Sequence, residues 1–234
     1  MAIKTWLLRK KFDVRSAIAR ESWLFIPHNL IVWWTQYKVR NHIDTSECRV
    51  DGKTEFVLDG FQGSGNSFAT VTFKNTQDHK VRLAHHLHSP AQIIKAVQAG
   101  LPVLVTIREP GGGVVSLTSR WTYVTLEQGL KGYIQFYGKL IPFRDQFVVS
   151  TFEDTIHSFD DVIRRVNDRF ETDFQILDYS SGLTKPRATS ETASWETERN
   201  KIKDQKQEEL KDPRYADLLA EARGIYSQLT GETV

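Results

Sequence analysis

The sequence has very few residues of the kinds that form disulfides, thiolate metal sites or membrane spans. Cys48 is the only cysteine among 234 residues, which excludes an intramolecular disulfide and a thiolate-rich metal site. No apolar run approaches the roughly 20 residues of a membrane-spanning helix, and the N-terminus lacks the apolar core of a signal peptide. We therefore expect a cytoplasmic protein, since unpaired thiols are usual in reducing compartments.

Positive charge is concentrated at the start of the chain. Residues 1–40 contain eight Lys and Arg and two acidic residues, whereas the whole chain has a net charge of only +2. A basic segment rich in Trp is typical of a helix on an anionic membrane, and also of a solvated helix whose tryptophans pack on a domain. We expect residues 1–50 to form a basic helical extension of a domain over 51–234. Peripheral membrane contact through 1–40 stays open, and no nucleic-acid partner is expected.

Beyond the extension, strand patterns alternate with helical ones. The predicted strands are 56–58, 81–84, 101–107 and 147–150. The predicted helices are 4–20, 28–40, 66 onward, 90–99, one that follows glycines 111 to 113, 123–140, 157–170 and 213–229. Residues 180–200, rich in Ser, Thr, Lys and Arg, are predicted to be a loop. The alternation predicts an α/β fold with three layers around a central parallel sheet. Ligands bind such sheets beyond the carboxyl ends of the strands, where segments 60–68, 85–88 and 108–116 fall.

A glycine-rich segment follows the first predicted strand. Residues 60–67 have the spacing of a phosphate-binding loop, in which backbone N–H groups and the next helix N-terminus surround a phosphate. Asn66 stands where such loops carry lysine, so the sequence argues against ATP hydrolysis and against a nucleotide kinase. A glycine turn needed only for packing is the structural alternative.

Residues 61–68 resemble the donor-phosphate loop of sulfotransferases that use 3′-phosphoadenylyl sulfate (PAPS). That loop has the pattern Tyr/Phe-Pro-Lys/Arg-Ser-Gly-Thr/Asn-Thr/Ser-Trp/Phe, and here Gln62 replaces the proline and Gly63 the basic residue. The resemblance implies a P-loop fold in which this loop holds the 5′-phosphosulfate, with an aromatic residue near the adenine. The implied cofactor-binding residues are Gly63, Ser64, Gly65, Asn66, Ser67 and Phe68.

A second resemblance begins where the most apolar predicted strand ends. An arginine leaving a strand and a serine on the next helix can converge on one phosphate, and the planar guanidinium suits that task. Arg108, Pro110 and Ser116 match the family's binding segment for the 3′-phosphate of PAPS. A structural ion pair of Arg108 with Glu109 or Glu153 is the alternative.

Two further segments complete the resemblance. Residues 147–154 are like the family's apolar strand that ends in an aromatic-Glu-Asp sequence. The family also closes the donor site with a late basic loop, for which Lys185, Arg187 and Arg199 are the candidates. Arg187 is our predicted cofactor-binding residue of that loop.

Three histidines lie close together at 85, 86 and 88. Transfer to an alcohol needs a base for the hydroxyl proton, and a neutral imidazole is suited to it. The resemblance implies that His86 is this base, with His85 and His88 as alternatives, and that Ala84 replaces a family lysine. A zinc site at His86 and His88 lacks a nearby carboxylate or thiol, so no metal is expected.

These observations predict a sulfotransferase that moves a sulfuryl group from PAPS, as co-substrate, to a hydroxyl acceptor. The acceptor could be a glycan, a lipid or a small alcohol, and Trp121, Tyr123 and Phe136 are candidates for the pocket wall. The alternative is a nucleotide-binding or interaction module that kept the fold and lost catalysis. Gly63 and Ala84 favour this alternative, because each removes a positive charge that the reaction would use.

Overall fold

The computed structural model describes residues 2–25, 30, 48–176 and 190–232. Its centre is a four-stranded parallel sheet in the order β2-β1-β3-β4, which confirms the α/β class. The strands are β1 Phe56–Gly60, β2 Leu83–His85, β3 Val103–Ile107 and β4 Val148–Thr151. Because the chain moves from β1 to one side and then returns to the other, the loops after β1 and β3 flank a topological switch point.

Nine α-helices surround the sheet in the described part of the chain. They are α1 Ala2–Arg20, α2 Asn66–Thr76, α3 Pro90–Gln98, α4 Pro110–Arg120, α5 Leu126–Gly138, α6 Phe152–His157, α7 Phe159–Phe170, α8 Ser190–Glu209 and α9 Ala216–Thr230. Short 3-10 helices span Ser22–Leu24, Ile141–Gln146 and Pro213–Tyr215. The start of α3 is capped by Ser89, whose Oγ accepts the Gln92 N–H ahead of Pro90.

Apolar side chains cover both faces of the sheet. Along β3, Val103, Val105 and Ile107 join a core with α3, α4, α5 and α9, while Leu104 joins a second core with α2 and α7. Every residue of β1 and β3 is buried. Burial on both faces explains why these strands are almost continuously apolar in sequence.

The predicted elements agree with the structure except in three places. Residues 190–200 were predicted to be loop but belong to α8, because an almost wholly polar helix gives no apolar periodicity. The predicted helix 157–170 is divided at Ser158, which separates α6 from α7. Glycines 111 to 113 do not precede a helix but lie in the first turn of α4, where Glu109 caps the Gly112 N–H. The predicted helix 28–40 lies outside the described residues, apart from Leu30.

The first helix has one buried face and one exposed face. α1 packs on α3 and α5 and buries Phe12 and Ala19. On its opposite side Ile3, Trp6, Leu7 and Val14 are exposed, with Trp6 at 57% of its full accessibility. No helix in the described ranges has both the length and the apolar content to cross a bilayer.

Candidate functional site

The loops after β1 and β3 meet because the two strands are neighbours in register. Gly60 is paired with Thr106, so both strands deliver their following residues to the same edge of the sheet. There they border a cleft of about 290 Å³. The cleft is lined by Gln62, Gly63, Gly65, Asn66, Ser67, Phe68, His86, His88, Arg108, Ser116, Leu117, Arg120, Trp121, Phe152, Arg199 and Lys203. The structure therefore brings together residues from all three segments that sequence analysis singled out.

Two glycines give the first loop its shape. Gly63 has φ of 91° and Gly65, the residue before α2, has φ of 97°. Only glycine adopts such angles without strain. The first N–H groups of a helix have no intrahelical partner, and the helix dipole favours negative charge at this end. Both features make the entrance to α2 suitable for an anion.

The polar side chains of this loop hold it together from within. Ser64 Oγ donates to the Phe61 carbonyl at 2.6 Å and lies 3.0 Å from Thr106 Oγ1. Thr106 Oγ1 donates to Asn66 Oδ1 at 2.8 Å, and Asn66 Nδ2 donates to the Phe61 carbonyl at 3.0 Å. Ser64 is only 2% exposed and does not line the cleft. The hydroxyl of Ser64 therefore fixes the loop, whereas backbone N–H groups and Ser67 face the cleft.

The position of Gly63 explains why the loop has no basic residue there. A Cβ at this position would lie 2.8 Å from the Gly113 carbonyl oxygen and 3.2 Å from Ser116 Cβ. The positive φ adds strain for any side chain. A lysine at Gly63 is incompatible with the close approach of α4, so positive charge must reach the cleft from other elements.

Arg108 supplies one such charge from the carboxyl end of β3. Its guanidinium stacks on the Phe152 ring at 3.8 Å from the centroid. Burial lowers the pKa of Arg108, and the nearby charges of Glu153 and Glu109 oppose that shift. Within the described ranges no carboxylate forms an ion pair with Arg108, so the alternative of an ion pair with Glu109 or Glu153 is not observed. The stacked guanidinium is available to a ligand in the cleft.

A second arginine reaches the cleft from α8. Arg199 Nη2 donates to Ser116 Oγ at 3.1 Å and to the Ser116 carbonyl at 3.2 Å, and its Nε donates to Ser119 Oγ at 3.2 Å. Lys203 lines the cleft one turn later. The sequence suggested Arg199 only as part of a loop, and its polar helix gave no stronger signal. Lys185 and Arg187, the other two candidates, lie outside the described residues.

The charge around the cleft is of one sign. Arg108, Arg120, Arg199 and Lys203 line it, and no Asp or Glu side chain of the described residues does so. Positive charge without carboxylates favours a ligand with several negative charges. The volume of the cleft suits a small molecule rather than a polymer.

Two of the histidines border the same cleft. His86 Nε2 lies 3.1 Å from Ser67 Oγ, and its Nδ1 lies 2.7 Å from Nδ1 of His85, which does not line the cleft. His88 Nδ1 donates to the Gly60 carbonyl at 2.8 Å. Burial lowers the pKa of both residues, that of His88 to about 3, so the His88 ring is neutral near pH 7. In the described chain, no group of three or more His, Cys, Asp or Glu could hold a metal ion.

His88 is backed by a buried carboxylate. Asp59, in β1, accepts the His88 backbone N–H at 2.9 Å and the Gly60 N–H at 3.0 Å, and its Oδ1 is 3.5 Å from His88 Nδ1. Complete burial raises the pKa of Asp59 to about 7 despite these hydrogen bonds. Sequence analysis missed Asp59, since it is an ordinary-looking residue within an apolar strand.

The predicted aromatic wall is divided between two cavities. Trp121 lines both the cleft and a smaller cavity beside α1, while Phe136 lines only the smaller one. Tyr123 stacks on Trp121, with the ring centroids 6.5 Å apart, and lines neither. Of the three, only Trp121 is therefore in contact with the cleft.

No family model matches the chain, and no significantly similar curated protein was found. A functional assignment therefore depends on the geometry of the cleft and on the motifs that line it.

Proposed function

We propose that this protein is a sulfotransferase with a P-loop α/β domain, which transfers the sulfuryl group of PAPS to a hydroxyl acceptor in the cytoplasm. One observation carries the proposal. The two segments that resemble the 5′- and 3′-phosphate sites of the family are separated by a full strand and helix in sequence, yet both line one cationic cleft. The fold alone brings the two loops together, but it does not require the cleft between them to be lined by Arg108, Arg199 and Lys203 and by no described Asp or Glu.

The cleft offers two separate anion subsites. At the entrance to α2, the backbone of residues 63–68 and the Ser67 hydroxyl would hold the 5′-phosphosulfate. Arg108, Ser116 and Arg199 would hold the 3′-phosphate. Since Ser116 Oγ already accepts an Arg199 N–H, its own hydroxyl hydrogen is available to a phosphate oxygen. Two subsites without a Walker lysine favour an adenosine bisphosphate over a nucleoside triphosphate.

The chemistry follows from these positions. Sulfuryl transfer leaves negative charge on the departing phosphate oxygen, and fixed N–H dipoles and guanidinium groups stabilise that charge without a metal. The acceptor hydroxyl must lose a proton as it attacks, and His86 and His88, which line the cleft, are the candidates to take it. His86 remains the residue that the family resemblance predicts for this step.

The exposed apolar side of α1 favours an acceptor or partner at an anionic membrane surface. Ile3, Trp6, Leu7 and Val14 are flanked by Lys4 and Lys11, the arrangement of an interfacial helix. Sedimentation with phosphatidylserine vesicles tests this contact. We expect the double variant Trp6→Ser/Leu7→Ser to bind these vesicles more weakly than the wild type. Equally strong binding of the two proteins would contradict a membrane contact through α1.

A non-catalytic nucleotide-binding module is the second candidate. Gly63 and Ala84, which stand where the family has cations, favour it, and Ala84 is buried in the edge strand β2. The rate at which PAPS releases sulfate to water distinguishes an enzyme from a non-catalytic module. An enzyme makes this release faster than the uncatalysed reaction, whereas a module binds the nucleotide and leaves the rate unchanged.

The direct test is calorimetric titration with 3′,5′-adenosine bisphosphate. We expect micromolar binding by the wild type and at least tenfold weaker binding by Arg108→Ala, a loss of about 1.4 kcal/mol. Arg164→Ala is the matched control, because Arg164 pairs with Asp160 and Asp161 on the surface of α7, outside the cleft. Equal affinity of all three proteins, or no binding at all, would contradict the proposal.

A further inference from the structure

The histidines at the end of β2 occupy an unusual piece of backbone. His86 and His88 have φ of 58° and 53°, a conformation that few residues other than glycine adopt, while Leu87 between them is buried. Strain of this kind persists only where surrounding contacts enforce it. Here it turns both imidazoles into the cleft.

The partners of His86 make its Nε2 a donor. Lys74 Nζ lies 3.1 Å from His85 Nε2, and an ammonium group can only donate, so His85 Nε2 accepts. A neutral His85 ring then carries its proton on Nδ1 and donates it to His86 Nδ1 at 2.7 Å. His86 in turn has its proton on Nε2 and donates it to Ser67 Oγ. This chain of contacts gives His86 an N–H at the cleft rather than a lone pair.

His88 is held in the opposite tautomer. Its Nδ1 faces the Gly60 carbonyl at 2.8 Å and the Asp59 carboxylate at 3.5 Å, and a carbonyl oxygen can only accept. The proton of the neutral ring is therefore on Nδ1, and Nε2 carries the lone pair. No described residue donates a hydrogen bond to this Nε2. His88 has the tautomer, and the fixed orientation, of a general base. Burial lowers its pKa to about 3 in the free protein, and the negative charge of PAPS in the cleft would raise that pKa towards the range that a base needs.

The position of His88 also suits a base. It is one of three residues, with Gln62 and Trp121, that line both the cationic cleft and the smaller cavity beside α1. That smaller cavity, walled by Phe12 and Phe136, has a volume of about 20 Å³, enough for a hydroxyl group. A hydroxyl there would lie beside His88, which also borders the cleft.

We propose that His88 is the general base of the transfer and that His86, by donating its one N–H to Ser67 Oγ, leaves the Ser67 hydroxyl hydrogen to bond the sulfuryl oxygens, an assignment that rests on the proposed function. The acceptor oxygen forms its bond to sulfur as its proton passes to His88 Nε2. The sulfur–oxygen bond to the 5′-phosphate breaks, and its electron pair leaves with adenosine 3′,5′-bisphosphate. The imidazolium keeps its Nδ1–H on Gly60, faces the Asp59 carboxylate and then releases the proton to water.

The tautomers can be measured without any ligand. Long-range ¹H–¹⁵N NMR of protein labelled with ¹⁵N-histidine distinguishes protonated from unprotonated ring nitrogens, and His86→Gln and His88→Gln assign the signals. We expect the proton of His88 on Nδ1 and that of His86 on Nε2. A proton on Nε2 of His88, or a lone pair on Nε2 of His86, would overturn the assignment whatever the protein's function.

Rates separate the two roles, with PAPS as donor and water as acceptor. Glutamine can donate a hydrogen bond but cannot serve as a base. His88→Gln should therefore lower sulfate release by about 10²–10⁴, whereas His86→Gln should lower it less than tenfold and His86→Ala further. The reverse order would overturn the proposal.

Binding of 3′,5′-adenosine bisphosphate identifies which proposal fails. Both glutamine variants should bind it within about twofold of the wild type, which shows that the donor site is intact. If the wild type neither binds it nor releases sulfate, the proposed function fails and the base assignment falls with it. If the wild type does both and the two glutamine variants lose activity equally, only the division of roles between His86 and His88 is wrong.

Discussion

The two walls of the cleft are built in different ways. The wall formed by the glycine loop is buried and internally bonded, with Ser64, Asn66 and Thr106 linked to one another. The wall formed by α8 is polar, and none of its described side chains is buried. The glycine loop therefore sets the shape of the cleft, and α8 supplies part of its positive charge. Changes in the loop should therefore act on both stability and binding, while changes in α8 should act on binding alone.

The largest effect is expected from Gly63→Ala. The new Cβ would meet the Gly113 carbonyl at 2.8 Å and adopt a positive φ, so the loop and α4 must separate. We expect calorimetric binding of 3′,5′-adenosine bisphosphate to disappear. Gly100→Ala is the control, because Gly100 also has positive φ but open space around it. Gly100→Ala should cost only about 1–2 kcal/mol of stability and leave binding intact. Equal behaviour of the two variants would contradict the account.

Thr106→Val should break the buried hydrogen-bond network of Ser64, Asn66 and Thr106 at a position that does not line the cleft. It leaves Ser64 and Asn66 each short of a partner, which should cost about 1–3 kcal/mol of unfolding free energy and weaken nucleotide binding. Thr118→Val is the matched control, because Thr118 is equally buried but bonds only to carbonyls of its own helix. Urea unfolding of both variants measures the difference. If Thr118→Val lowers the unfolding free energy as much as Thr106→Val does, the network makes no contribution beyond that of an ordinary buried hydroxyl.

Arg199→Ala tests the α8 wall. We expect about tenfold weaker bisphosphate binding, or about 1.4 kcal/mol, with an unchanged urea midpoint. Lys201→Ala, an exposed change on the same helix, should have no effect on either quantity. A clear loss of stability in Arg199→Ala would instead indicate that this residue mainly joins α8 to α4.

The smallest effect concerns the pH dependence of the buried wall. Burial raises the pKa of Asp59 to about 7, so its contribution to folding is favourable when the carboxyl is protonated and is lost as pH rises from about 4 to 7. Asp59→Asn removes this pH-dependent loss of stability, because the amide of asparagine does not ionise. The stability of the variant relative to wild type should therefore rise by about 1 kcal/mol between pH 6 and 7, below the linkage limit of about 1.4 kcal/mol per pH unit. Urea midpoints at both pH values measure it, and a relative stability that falls with pH would contradict the assignment.

Sequence predicted the loop wall far better than the α8 wall. Strand, glycine turn and helix are local patterns, and the ends of neighbouring parallel strands must meet, so residues 60–68 and 108–116 could be placed together in advance. The inward direction of Ser64 could not be predicted, since its partner Thr106 is remote in sequence. Arg199 was misplaced because its helix has no apolar stripe. Asp59 was missed because only the fold places it beneath His88.

The central claim is that Arg108 and the glycine loop bind different phosphates of one nucleotide. It is tested most directly by comparing the affinities for adenosine 5′-monophosphate and 3′,5′-adenosine bisphosphate in wild type and Arg108→Ala. We predict that the wild type prefers the bisphosphate at least tenfold, and that Arg108→Ala loses this preference while its affinity for the monophosphate is nearly unchanged. A wild type without preference, or a variant that loses both ligands equally, would contradict the account.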